Sequence, residues 1–205
     1  MTISLENTGK RYNYEWIFRK INFTFEKGNR YAVLGPNGSG KSTLLQIIAG
    51  SLAASEGKIN YSISGNILNS DYIFRYLSLS APYLELIEEY TFAELLGFQR
   101  YFKPFLNNLQ AESIAKIVQL ENALHKQIRF FSSGMKQRAK LAQAIFADAP
   151  LLLLDEPCTN LDEAGCQLYQ ELITQYTTNK LVIISSNDPQ EYEACNRYLH
   201  ITDYK

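Results

Sequence analysis

The chain has 205 residues, 46% of them hydrophobic, 13% aromatic and 20% charged, which excludes a disordered protein and allows one large domain or a core with a smaller insertion. Its 20 Lys+Arg against 21 Asp+Glu give a formal charge of −1, so no global basic field is present to gather nucleic acid or anionic lipid. The cysteines Cys158, Cys166 and Cys195 are an odd number without metal-ligand spacing and suit reduced thiols with packing roles. Met1 to Glu6 lacks a basic patch ahead of an apolar run, and no stretch reaches the roughly 18 apolar residues of a membrane span, so neither a leader nor a transmembrane helix is expected.

Residues 2 to 31 read as short strands with turns. Ile21-Asn22-Phe23-Thr24-Phe25 alternates apolar and polar, and Glu26-Lys27-Gly28-Asn29 closes it with a Gly-bearing turn, which predicts an antiparallel layer. Within it, Gly9 to Trp16 is rich in aromatics, and Tyr12 is the candidate to stack on a flat base. The apolar run Tyr31 to Leu34 then leads into Gly35-Pro36-Asn37-Gly38-Ser39-Gly40-Lys41-Ser42-Thr43, followed by the helical Leu44 to Ala49. This is a P-loop at a strand-to-helix junction. Its glycines let successive N–H groups turn toward phosphate oxygens, with the positive end of the helix behind them. Lys41 is expected to reach the β- and γ-phosphates of a nucleotide, and Ser42 to offer its hydroxyl to Mg²⁺.

Lys58 to Ile63 alternates as another strand. From about residue 76 the pattern becomes helical. Thr91-Phe92-Ala93-Glu94 predicts a capping box opening a helix through Leu95, Leu96 and Phe98, and Ile114, Ile117 and Val118 recur at helical spacing. A helical insertion over 77–133, punctuated by Pro82 and Pro104, is therefore predicted within a core of 1–76 and 134–205. Ser132-Ser133-Gly134 opens a further helix carrying Leu141, Ile145 and Phe146 on one side.

Leu151 to Leu154 is wholly apolar and ends in Asp155-Glu156. A strand buried on both faces belongs in a parallel sheet, whose ligands lie beyond the carboxyl ends of the strands. Adjacent strand residues face opposite ways, which assigns Asp155 to a hydrated Mg²⁺ and Glu156 to an attacking water. Asn160-Leu161-Asp162 caps a helix carrying Leu168, Leu172 and Ile173, and Leu181 to Ser186 is another buried strand. Asp188-Pro189-Gln190-Glu191 predicts a helix start with a cap, Pro at the first position and an acid three along. Arg197 to Ile201 reads as a last edge strand.

Taken in this order, the motifs resemble the nucleotide-binding domain of the ATP-binding cassette (ABC) family over essentially the whole chain. Gly35 to Thr43 resembles the Walker A loop, and Tyr12 the aromatic that stacks on adenine. Ser132 to Arg138 resembles the family signature with two substitutions. Leu151 to Glu156 resembles Walker B with its catalytic glutamate, and Pro157 to Asp162 the D-loop. The resemblance implies an α/β fold: a P-loop NTPase core of mainly parallel sheet, an N-terminal antiparallel β layer and a helical insertion. It implies an ATPase that uses ATP and Mg²⁺. Two domains are expected to meet head to tail, so that Ser132 and Gly134 of one cover the γ-phosphate held by the other, with Asp162 at the same contact. The pair would be a homodimer, or a heterodimer with a related ATPase. Its partners would be separate transmembrane permease subunits that hold it, cytoplasmic and peripheral, on the inner face of the membrane, with no nucleic acid involved. Alternatives within the family are a non-transport ATPase or a slowly hydrolysing nucleotide switch.

Two positions depart from the family. Leu77 to Pro82 contains no glutamine where one normally helps Mg²⁺, and Ser80 is the nearest match. The switch histidine falls on Asn187, with His125 and His200 out of register. An asparagine can donate and accept hydrogen bonds but cannot bring positive charge to a phosphoryl group. With Lys41, Ser42, Asp155 and Glu156 intact, hydrolysis is expected, at a slow rate.

Overall fold

The structure is a computed structural model describing residues 1–205. In chain order the elements are β1 (Thr2–Tyr12), β2 (Glu15–Glu26), β3 (Arg30–Leu34), α1 (Lys41–Ile48), β4 (Glu56–Ile63), β5 (Asn66–Leu68), β6 (Leu77–Ser80), α2 (Phe92–Phe102), α3 (Ala111–Ile117) and α4 (Ser133–Phe146). There follow β7 (Leu151–Asp155), α5 (Glu163–Tyr176), β8 (Leu181–Ser185), α6 (Pro189–Tyr192) and β9 (Arg197–His200). They form a four-stranded antiparallel sheet of order β2-β1-β4-β5 and a five-stranded parallel sheet of order β6-β7-β8-β3-β9. The predicted class, a parallel core with an N-terminal antiparallel layer and helices inserted before Ser133, is the one observed.

The parallel sheet is covered on both faces, and the apolar strands show how. Leu152 and Leu154 of β7, with Val182 and Ile184 of β8, join the core built on α2 to α5. Leu151, Leu153, Leu181 and Ile183 enter the opposite core, with Leu44, Leu45, Ile47 and Ile48 of α1 and the inner face of the antiparallel sheet. Each fully buried leucine stabilises the fold by about 1.5–3 kcal/mol relative to exposure. The unbroken run of leucines is thus two alternating sets serving two cores.

The N-terminal layer differs from its expectation of short strands. β1 and β2 have 11 and 12 residues and pair from Thr2↔Glu26 to Tyr12↔Glu15. Breaks in the apolar alternation are absorbed by register shifts rather than by strand ends, with Asn7 and Lys20 at positive φ. The Asn7 amide donates to Asn22 Oδ1 at 2.9 Å, which satisfies a donor displaced from the ladder.

Leu77–Ser80, grouped by sequence with the helical insertion, is instead β6, an edge strand of the parallel sheet in register with Leu151 to Leu154. Leu-Ser-Leu-Ser has the period of a strand, and its pairing partner lies more than 70 positions away. The helical segment beyond it keeps its predicted start. Thr91 Oγ1 accepts from the Glu94 amide at 3.2 Å, and Glu94 Oε2 accepts from the Thr91 amide at 2.7 Å. The far end of α4 is held by Lys180, whose ammonium donates to the carbonyls of Ile145 and Ala147, and whose pKa burial pulls down to about 8. At α6 the predicted capping box is incomplete. Asp188 accepts from the Gln190 amide at 2.9 Å, but Glu191 turns away and accepts from the amide of Cys158. No helix is long and apolar enough to cross a membrane.

Candidate nucleotide site

Because β3, β6, β7 and β8 run parallel, their carboxyl ends open on one edge, where β3 passes through Gly35 to Gly40 into α1. Gly40 is the residue before the helix, at φ +104°, and a Cβ there would stand 2.3 Å from Ile17 Cγ2 of β2. Only glycine fits both the backbone and the neighbour. Gly38, at φ +75°, has nothing within 4 Å of where a Cβ would be, so the mouth of the loop is open. No side chain caps α1 and no acid lies in its first turn, which leaves the amides of Lys41, Ser42 and Thr43 free for an anion. Lys41, 5% exposed, folds over the loop, donating from Nζ to the carbonyls of Gly35 at 2.8 Å and Pro36 at 3.3 Å.

Four buried oxygens near this edge have no hydrogen-bond partner: Ser39 Oγ in the loop, Ser80 Oγ at the end of β6, Asp155 Oδ1 at the end of β7 and Ser185 Oγ at the end of β8. Leaving such groups unsatisfied costs about 1–3 kcal/mol each, so their concentration at one edge marks a place built for a ligand. Asp155 pairs with Ser185 in the sheet, and both lie on the face of Leu153 and Ile183, the side of α1. Ser80 pairs with Leu154 and lies on the opposite face. An oxygen-only set of Ser42 hydroxyl and Asp155 carboxylate, completed by water and phosphate, fits Mg²⁺, which takes one or two carboxylates and keeps several waters. Sequence reasoning did not single out Ser185 or Tyr83. Burial raises the pKa of the Tyr83 phenol, with the Gln46 side chain opposing the rise and the Asp155 carboxylate adding to it.

Glu156 reaches the site by a different route from the one strand alternation implied. It lies beyond β7 with φ +45°, a left-handed conformation strained for a non-glycine residue, and its amide donates to Ser185 O at 2.9 Å. A sharp turn, not the pleat, separates it from Asp155. It lines an open cleft with Asn37, Asp162, Asn187 and Glu191. Across this cleft Asn187 Nδ2 donates to Asn37 Oδ1 at 2.6 Å, tying the loop after β8 to the P-loop.

The remaining site residues divide between this edge and elsewhere. Tyr12 ends β1 at 48% exposure, with Lys10 Nζ 5.1 Å from its ring centroid. Trp16 is covered by the Arg19 guanidinium at 4.0 Å, which leaves Tyr12 as the more open ring. Ser132 caps α4, its Oγ accepting from the Met135 amide at 3.2 Å, and is exposed. Gly134 packs on its own D-loop, where a Cβ would stand 3.2 Å from Asn160 O. Asp162 caps α5 through the Gly165 amide at 2.9 Å. Within one chain, neither Ser132 nor Gly134 is bonded to the P-loop.

The fold and this loop define a nucleotide-binding protein of the P-loop type. Comparison with known proteins narrows the class. The ABC transporter family profile matches residues 18–159. The ABC transporter ATP-binding protein YybJ of Bacillus subtilis is 34% identical over 92% of this chain and 86% of its own length. The Nod factor export ATP-binding protein I of Bradyrhizobium diazoefficiens is 30% identical over 96% of this chain and 66% of its own length; the chain thus spans about two thirds of such longer relatives. Among solved structures, an ABC transporter ATP-binding protein from Pyrococcus furiosus superposes with TM-score 0.83 at 22% identity, covering 100% of both chains. A dimeric bacterial ABC transporter cassette superposes with TM-score 0.81 at 21% identity, covering 97% of this chain and 94% of that one. At those identities the structural likeness establishes the fold. The chain belongs to the ABC transporter family, as an ATP-binding, ATP-hydrolysing subunit.

Proposed function

We propose that two copies of this chain, or one copy and a related ATPase, close head to tail on ATP and drive separate permease subunits by opening again after hydrolysis. The observation that carries the reading is the uncapped N-terminus of α1, with Lys41 folded over it and the unpartnered Asp155 carboxylate at the neighbouring strand end. On binding, Lys41 exchanges two carbonyl acceptors for the β- and γ-phosphate oxygens, and the amides of Gly38 to Thr43 take the rest. Tyr12 stacks on the adenine. Ser42 and Asp155 would hold Mg²⁺, which would supply charge neutralisation at the phosphates; Ser80, the third expected contact, lies on the opposite face of the sheet from Asp155 and is outside this set. Glu156 orients a water and accepts its proton as the water oxygen bonds to the γ-phosphorus and the bond to the β-phosphate oxygen breaks, leaving ADP and phosphate. Asn187 supplies a neutral hydrogen bond where the family has a histidine, so turnover is slow. Ser132 and Gly134 of the second subunit cover the γ-phosphate, with Asp162 at the same contact.

The helical segment supports a permease partner. Phe98, Tyr101 and Phe102 on α2 are 42%, 90% and 71% exposed, an apolar patch suited to docking on membrane subunits and thereby to a place at the inner face of the membrane. The test is retention of ATP with Mg²⁺ by the purified chain. Lys41→Ala is expected to weaken it about 100-fold, the loss of charge-assisted bonds worth about 3 kcal/mol. Unchanged retention would overturn the reading.

A further inference from the structure

Glu191 has no part in the chemistry above, yet it is a carboxylate 5% exposed in the interior. It sits on α6, four positions after Asn187, and its Oε1 accepts the backbone N–H of Cys158 at 2.6 Å. The carbonyl of that same peptide unit, Pro157 O, accepts from Gln137 Nε2 of α4 at 2.7 Å. Gln137 is 4% exposed and Cys158 8% exposed. One buried peptide is therefore gripped on both its polar atoms by side chains from two different elements. One element follows the loop of Asn187, and the other begins at Ser132. The Glu191 end is itself fixed, because Tyr169 of α5 donates its hydroxyl to Glu191 O at 2.8 Å.

This peptide begins one residue after Glu156, which holds a left-handed backbone at φ +45°. A strained conformation persists only where its surroundings over-determine it. The Glu156 amide is tied to Ser185, and the clamped peptide ties the other side. We propose that Glu191, with Gln137 opposite it, is a positioning residue that holds the Pro157–Cys158 peptide so that the Glu156 carboxylate stays aimed at the attacking water. The inference rests on Glu156 being the base for hydrolysis. It also gives the loops of Asn187 and Ser132 a shared mechanical junction, reached through backbone rather than through nucleotide.

The test is steady-state hydrolysis of Mg-ATP by the purified full chain, read as kcat and KM separately. Glu191→Leu removes the acceptor and strands a buried N–H; it is expected to lower kcat about tenfold or more with KM for ATP within about twofold of the parent. Glu191→Gln keeps an oxygen acceptor in the same shape and is expected to restore most of the rate. Gln137→Leu should lower kcat in the same way, and the double variant no further than the worse single, because both act on one peptide. A merely structural role would lower the melting temperature and leave kcat per folded molecule unchanged, which overturns the proposal, as does Glu191→Gln proving as slow as Glu191→Leu. Should Glu191→Leu not fold, Glu191→Asp withdraws the acceptor by one methylene and reads the same quantity; an unchanged kcat there is equally fatal. Hydrolysis surviving in Glu156→Gln would instead remove the base itself, a failure separate from that of the clamp.

Discussion

The P-loop edge and the signature turn are both helix starts, and they are finished to different degrees. At the first, Lys41 is buried, α1 has no cap of its own, and unpartnered oxygens of Ser39, Asp155 and Ser185 lie at the same edge. At the second, α4 is capped by Ser132 within its own chain, the turn is exposed, and its closest backbone neighbour is Asn160 of the same D-loop. A helix end with no internal partner is waiting for a ligand, whereas a capped and exposed one is a surface. Under the proposed function, gripping the nucleotide belongs to one chain and covering it to a second.

That contrast can be broken most directly at the signature. Gly134→Asp places a carboxylate where the second subunit would meet the γ-phosphate, and is expected to abolish ATP-dependent dimers in size-exclusion chromatography, a weakening of about 100-fold, with single-chain ATP affinity retained. If the dimer survives, the turn does not cover the phosphate. A smaller effect sharpens the same division from the P-loop side. Asn187→His restores a group able to carry charge and is expected to raise phosphate release about three- to tenfold; a rate no faster than the parent removes the explanation of slow turnover. The smallest effect lies away from both. Thr91→Ala loses the capping box of α2, costing about 1 kcal/mol and lowering the melting temperature by about 2–4 °C, with ATP affinity unchanged. A changed affinity would show that the helical segment and the grip are not independent.

Several of these features were readable from the chain itself. The P-loop, the cap at Thr91 and the caps at Ser132 and Asp162 are encoded by residues within a few positions of one another, so local spacing suffices. The leucines of β7 signalled a strand buried on both faces for the same reason. Leu77–Ser80 was grouped with the helical insertion because four alternating residues are a short signal, and their place in the parallel sheet is fixed by pairing with the distant β7. The lengths of β1 and β2 were missed because bulges let a strand continue through irregular sequence. Strand alternation gave Asp155 and Glu156 separate directions, but the separation comes from a left-handed turn that no spacing rule contains.

Short-range stereochemistry therefore encodes a P-loop, an acidic strand end and three further capped helices, because each needs only its immediate neighbours. Which oxygens are left without partners, and which single peptide is held by Gln137 and Glu191, depended on residues distant in the chain meeting across a closed core. A hydrogen bond between positions 33 apart leaves no periodic trace, since its geometry exists only once the sheet and the helices on both its faces have packed.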